Sequence, residues 1–89
     1  MTWSEAIENY ANYLRFEKNA SENTIEAYVS DLQKLQDFVE QNLMNITPIT
    51  ISYEHLQEFL YQISKINYSE RTQARWISSI KGFFGFLLE

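Results

Sequence analysis

The sequence predicts an all-α fold, a four-helix bundle made of two helical hairpins, in a single domain over residues 1–89. Three observations carry this. The chain holds two glycines and one proline, so little interrupts helix. Apolar residues recur at helical spacing in four stretches. One polar-then-apolar phrase is also written twice, NASENTIEAYVSDL at 19–32 and NYSERTQARWISSI at 67–80, at an offset of 48. Asn67 stands for Asn19, Ser69 for Ser21, Thr72 for Thr24 and Trp76 for Tyr28; further on, Phe83 stands for Leu35 and Phe86 for Phe38. The 45% apolar content supplies a core, since a domain of this size buries roughly 60–65% of its unfolded surface.

Residues 4–18 read as the first helix, with Ile7, Tyr10, Ala11 and Leu14 on one face. Ser4 is its expected N-cap; Glu5 and Glu8 suit the positive end of the helix dipole, and Lys18 suits the last turn. Asn19 tolerates the left-handed backbone that ends a helix. Ser21 is the expected cap of the second helix, 22–42, whose stripe is Ile25, Tyr28, Val29, Leu32, Leu35, Val39 and Leu43. In LMNITPITI, Pro48 and its β-branched neighbours predict an extended connector. Ser52 caps a third helix over 53–66 with Leu56, Phe59, Leu60 and Ile63 inward, and Asn67 ends it as Asn19 ends the first. Ser69 opens the fourth helix, 70–88. Each copy of the phrase is thus helix stop, short turn and helix start, and shared capping chemistry alone is one explanation of the repeat.

Composition narrows the function classes. With no cysteine there is no disulfide framework or thiolate metal site, and a single histidine, His55, leaves no His-based metal cluster. No apolar run approaches the ~20 residues of a membrane span, and the acidic, amphipathic MTWSEAIEN does not resemble a secretory signal, so the chain reads as cytoplasmic. The net charge of −5 is unevenly spread. Residues 1–59 set Arg15, Lys18 and Lys34 against ten acidic groups, a net −7, whereas residues 60–88 set Lys65, Arg71, Arg75 and Lys81 against Glu70, a net +3. The result is an acidic body with a mildly basic end.

The helix faces sharpen this. On the fourth helix Trp76, Ile77, Ile80, Phe83, Phe84 and Leu87 share one side. Arg71, Arg75, Ser78, Gly82 and Gly85 lie opposite, cationic at the start and small further along. Each mid-helix glycine costs about 1 kcal/mol relative to alanine. Either something approaches that backbone closely, or the glycines relieve crowding among the phenylalanines. Opposite the stripe of the second helix lie Asn23, Ala27, Ser30 and Lys34, flanked by Glu26 and Asp37. The best phosphate-facing surface is the pair of helix starts, Lys18 to Thr24 and Ser69 to Arg75, where free backbone N–H groups and the dipole favour an anion. This reading requires the two starts to lie side by side.

SENTIEAYVSDLQKLQDFV, followed by SERTQARWISSIKGFFGFLLE, resembles the N-terminal core-binding domain of tyrosine recombinases, the Xer-type enzymes and phage-type integrases. One run of that family is matched by Ser21, Thr24, Ile25, Tyr28, Asp31 and Leu32; the other is matched by Ser69, Thr72, Arg75, Ser78, Phe83, Phe84 and Phe86. The resemblance implies a SAM-like bundle that clamps duplex DNA with a separate catalytic domain, its second and fourth helices at the major groove. DNA contacts carried over by position are Ser21, Asn23, Thr24 and Lys34, then Arg71, Thr72, Arg75, Ser79 and Lys81, with Lys18 added from the helix-start argument. Thr24 and Thr72 suit phosphates; Arg71 and Arg75 suit phosphates or guanine edges. The partners implied are double-stranded DNA and other recombinase protomers, with no cofactor, metal, membrane or small molecule.

Departures weaken the expected grip. Val29, Ser30 and Gln33 stand where the family often carries arginines, as does Gly85, and Asn19 and Asn67 stand where glycine is common. Binding by the domain alone is expected to be salt-dependent and poorer than about 10⁻⁶ M. Three arginines and His55, which opens His-Leu-Gln-Glu rather than the family's His-x-x-Arg, make no phosphoryl-transfer site, and the six tyrosines read as core or boundary aromatics. The chain is therefore expected to be a non-enzymatic opening segment of a longer recombinase. Phe86, off the apolar stripe, is expected to meet the absent domain or a neighbouring protomer, or else to fold onto the frayed C-terminus. The alternative function is an acidic helical protein-interaction module.

Overall fold

Thr2 starts the first helix, two positions ahead of the Ser4 that the sequence suggested. In the computed structural model, which describes residues 1–42, 45–66 and 68–88, α1 runs Trp3–Phe16. The Thr2 hydroxyl accepts the Glu5 N–H at 3.1 Å, and the Glu5 carboxylate accepts the Thr2 N–H at 3.1 Å. This reciprocal pair satisfies two helix-end donors that Ser4, with Ile7 three residues on, could not satisfy together. The early start also places Trp3 in the core, its indole N–H donating to the Ile46 carbonyl at 2.9 Å. The helix stops before Lys18. Asn19 takes φ 52, and the Ala20 N–H closes on the Leu14 carbonyl at 2.9 Å.

Helix α2 spans Glu22–Asn42 as expected, with the Ser21 hydroxyl accepting the Thr24 N–H at 3.2 Å. Ile25, Leu32, Leu35 and Val39 of the expected stripe are buried; Tyr28 and Val29 are half-buried, and Leu43 lies outside the described residues. Phe38 and Asp31 are buried with them.

The connector turns rather than running extended. The N–H groups of Thr50 and Ile51 both reach the Thr47 carbonyl, at 3.1 and 3.0 Å, and Pro48 is buried inside that turn, where its fixed φ suits the first central position.

Helix α3 runs Tyr53–Lys65 from a Ser52 cap, and α4 runs Glu70–Leu87 from a Ser69 cap; Asn67 lies outside the described residues. The α3 cap has an unusual partner. The His55 ring nitrogen Nδ1 accepts the Ser52 N–H at 3.0 Å, in the place usually taken by a Glu or Gln side chain.

Helices α1, α2 and α4 approach closely, while α3 reaches the core through long side chains. Phe59 packs on Phe38 and Trp76 with ring centroids 5.3 and 6.2 Å apart. Trp76, 2% exposed, also meets Tyr68 at 4.6 Å. Its indole N–H has no partner among the described residues, a cost of about 1–3 kcal/mol set against the burial of one of the largest side chains.

On the other side Phe83 contacts Trp3 and Tyr10. Phe86 packs on Tyr13 and Tyr10 at 4.8 and 5.5 Å, so it closes the α1–α4 seam instead of facing outward or folding onto the chain end. Ile77, expected on the core face, is 42% exposed. Among the described residues no helix is long and apolar enough to cross a membrane.

Candidate nucleic-acid interface

The junction of α2 and α4 is built around a carboxylate on an apolar face. Asp31 falls three residues after Tyr28 and four before Leu35, and its side chain is 1% exposed. Arg75, in the second turn of α4, donates Nε–H to Asp31 Oδ2 at 2.9 Å and Nη2–H to Oδ1 at 2.7 Å. Ser79, one turn on, donates its hydroxyl to the same Oδ2 at 2.9 Å, with the Arg75 carbonyl at 3.0 Å as its other acceptor. The bonds to Asp31 raise the Arg75 pKa above its ordinary value, so its charge is permanent. Asp31 and Ser79 occupy equivalent positions of the repeated phrase, 48 residues apart, so the two copies meet at the same residue of each.

This places the predicted contact residues unevenly. Ser79 is fully buried, bonded to Asp31, and offers no atom to a partner; its position on α4, 100° per residue from Ser78, turns it inward. Arg75 keeps 42% of its side chain exposed. Arg71 is exposed and forms no ion pair among the described residues; Thr72 is half-buried, its hydroxyl accepting from Ser69 at 3.0 Å. Ser21, Asn23 and Thr24 are exposed at the start of α2, where Ser21 donates to the Thr24 hydroxyl at 3.0 Å. Lys18 is exposed beside the Tyr13 ring, 5.8 Å from its centroid. Lys34 is half-buried, 3.3 Å from the Ser30 hydroxyl and 5.9 Å from the Trp76 ring centroid.

Lys81 is exposed on a different side of α4, where it lines a groove against α3 with Leu56, Leu60, Ile77 and Phe84. Forty-eight residues earlier, Glu8, Asn12, Val29, Gln33 and Gln36 line the corresponding groove between α1 and α2. The same groove is thus polar in the first hairpin and apolar in the second.

The two helix starts do not adjoin as the sequence reading required. The ties between α2 and α4 fall at Asp31 and Lys34, roughly 14–18 Å along the axis from Glu22 at 1.5 Å per residue. The first turns of α4 therefore lie against the middle of α2. The start of α2 is fastened to the end of α1, through Arg15 Nε and Glu22 Oε1 at 2.9 Å. That exposed pair lowers the Glu22 pKa, first through the hydrogen bond and then through charge.

The glycines divide as well. A Cβ on Gly82 would strike the Tyr10 hydroxyl, so the close approach there is internal. A Cβ on Gly85 would meet nothing within 4 Å, so crowding among phenylalanines does not account for it. Sequence reasoning missed Asp31 as the organising residue, although its place on the apolar stripe of α2 signalled a buried charge in need of a partner.

Comparison with known proteins adds the family context. The family model described as phage integrase, N-terminal SAM-like domain, matches residues 7–89. The chain is 38% identical over 82 residues to tyrosine recombinase XerD of Staphylococcus epidermidis, covering 92% of this chain and 28% of that protein. It is 37% identical over 89 residues to tyrosine recombinase XerC of Leptospira interrogans, covering 96% and 27%. It is 33% identical over 81 residues to XerD of Vibrio cholerae, covering 91% and 26%. It spans about a quarter of the length of these curated relatives. No solved structure matches it.

Proposed function

Since this chain belongs to the phage integrase N-terminal SAM-like domain family, we propose that it is the DNA-binding domain of a tyrosine recombinase and that it lies against duplex DNA with the outer faces of α2 and α4. The observation that carries this reading is the outer face of α4. Arg71 and Arg75 are exposed at its start, Ala74, Ser78 and Gly85 are exposed alongside and beyond, and a Cβ at Gly85 would meet open space. A cationic helix start followed by small residues lets a phosphate backbone come close without a steric penalty. Asn23, Thr24 and Lys18, exposed around the start of α2, would meet the duplex at a separate point from the α4 start. Catalysis would belong to the remainder of such a recombinase, and these residues would act as one arm of a clamp that its catalytic domain completes.

Titration of a labelled duplex at low and raised salt tests this. Affinity falls as salt rises, and Arg71→Ala weakens binding to all sequences and reduces the salt slope by about one. Lys65→Ala, whose ammonium sits 4.4 Å from the Tyr61 ring centroid at the end of α3, changes neither. A wild-type chain that fails to bind at low salt, or an unchanged slope in Arg71→Ala, overturns the assignment of this face.

A protein-binding role is the second reading, and one observation favours it: the α3–α4 groove is apolar where its counterpart in the first hairpin is polar. Leu60→Glu in that groove leaves duplex binding intact on the first reading, whereas on the second it abolishes association with a protein partner and Arg71→Ala does not.

A further inference from the structure

We propose that Arg75 reads a guanine edge, and that Asp31 and Ser79 are the positioning residues that aim it; this deepens the DNA-binding reading and rests on it. A guanidinium has five N–H donors in a rigid plane. Asp31 takes two of them, Nε–H at 2.9 Å and one Nη2–H at 2.7 Å, both along one side of the fork. The donors left are the two on Nη1 and the second on Nη2. That outer pair is the one whose spacing matches the O6 and N7 acceptors of guanine in the major groove. The exposure pattern agrees: the carboxylate is 1% exposed, while the arginine keeps 42% of its side chain in solvent. One side of the fork is held by the buried carboxylate, and no other hydrogen bond to the guanidinium is formed among the described residues.

The carboxylate is itself held. Ser79, buried at 0% exposure, donates to Asp31 Oδ2 at 2.9 Å, so the plane that orients the guanidinium is pinned from the same helix that carries Arg75. Rotation of the arginine away from its aim would leave a buried carboxylate with one remaining hydrogen bond.

Charge separates the roles of the two arginines on this face. Attraction to phosphate scales with net positive charge and the counterions it displaces. Arg75 is neutralised by Asp31 and contributes little of that. Arg71, one turn earlier and without an ion pair among the described residues, contributes it in full. What Arg75 retains is direction, which a base edge uses and a phosphate does not require.

The test is selection from a pool of random-sequence duplexes by the wild-type chain, followed by sequencing of the retained DNA. A guanine is expected at one position, favoured by about tenfold or more over other bases. Arg75→Lys removes the planar fork and is expected to erase that preference. Asp31→Asn keeps one acceptor but loses the charge, and it is expected to flatten the same position. Arg75→Lys keeps the charge balance and leaves the salt slope of binding unchanged, whereas Asp31→Asn frees the arginine's charge and steepens it by up to about one. Ser79→Ala, the mildest change, weakens the preference without abolishing it. Circular dichroism melts confirm that each variant is folded at the selection temperature.

A guanine preference that survives Arg75→Lys overturns the proposal, as does a drop of about one in salt slope in Arg75→Gln with the base preference intact, the signature of a phosphate contact. If the wild type retains duplexes with no base preference, this inference falls and DNA binding stands. If it retains none at low salt, both fall.

Discussion

Tyr10 and Gly82 show how narrowly single residues are set. Tyr10 is 3% exposed and hemmed in by Tyr13, Phe83 and Phe86, so its hydroxyl cannot yield to a methyl group on Gly82. Gly82→Ala is expected to destabilise the fold by about 1–3 kcal/mol in urea denaturation, and by less in a Tyr10→Phe background. Gly85→Ala is expected to stabilise it by up to ~1 kcal/mol, because the helix gains propensity and nothing is displaced. Burial, then the charges of Tyr28 and Tyr13, push the Tyr10 phenol above the ordinary tyrosine value. The unfolded chain ionises first, so this contribution to stability is full at neutral pH and is lost as alkaline pH rises through the folded-state value. Alkaline denaturation of Tyr10→Phe is expected to lack that loss. At this scale the sequence was only partly legible. Helical spacing put Tyr10 in the core, but which hydroxyl fills the place of which missing methyl depends on two residues 72 positions apart in the chain.

The elements were more legible where capping chemistry is unambiguous. Ser21 and Asn42 bound α2 as expected because a hydroxyl cap opens one end and the long apolar stripe defines the run. The expected cap of α1 is Ser4 and the observed one Thr2; Glu5, three residues after Thr2, was the signal for the earlier cap. The connector was misread because β-branched residues favour strand only where a sheet exists to receive them. Here Thr47 and Thr50 instead hydrogen-bond the turn around Pro48. The α3 cap offers a direct check. His55→Gln restores the usual partner of a capping serine and is expected to keep the Ser52 amide protected from hydrogen exchange. His55→Ala is expected to expose it and to cost about 0.5–1 kcal/mol.

At the scale of the molecule, one buried carboxylate holds α2 against α4, and the two ways of breaking its pair are not equivalent. Arg75→Ala leaves Asp31 buried with a single hydrogen bond from Ser79, a loss expected near 3–5 kcal/mol. Asp31→Ala leaves a guanidinium already 42% exposed, which hydrates, and the loss is expected to be up to about 1 kcal/mol. Urea denaturation of both variants checks the order; the reverse order would mean that desolvation of the carboxylate is not what the pair offsets. The repeat made the overall architecture legible, since two caps at one spacing imply two hairpins. It did not reveal that the copies lie on one another at Asp31 and Ser79, because the sequence shows correspondence and not contact. That contact has a consequence for chain economy. Two identical molecules meeting at corresponding residues must set like against like, carboxylate against carboxylate or hydroxyl against hydroxyl. Carrying both copies on one polypeptide lifts that restriction: an acceptor on one half faces a donor on the other, a complementarity that no self-pairing of equal partners can reach at that point.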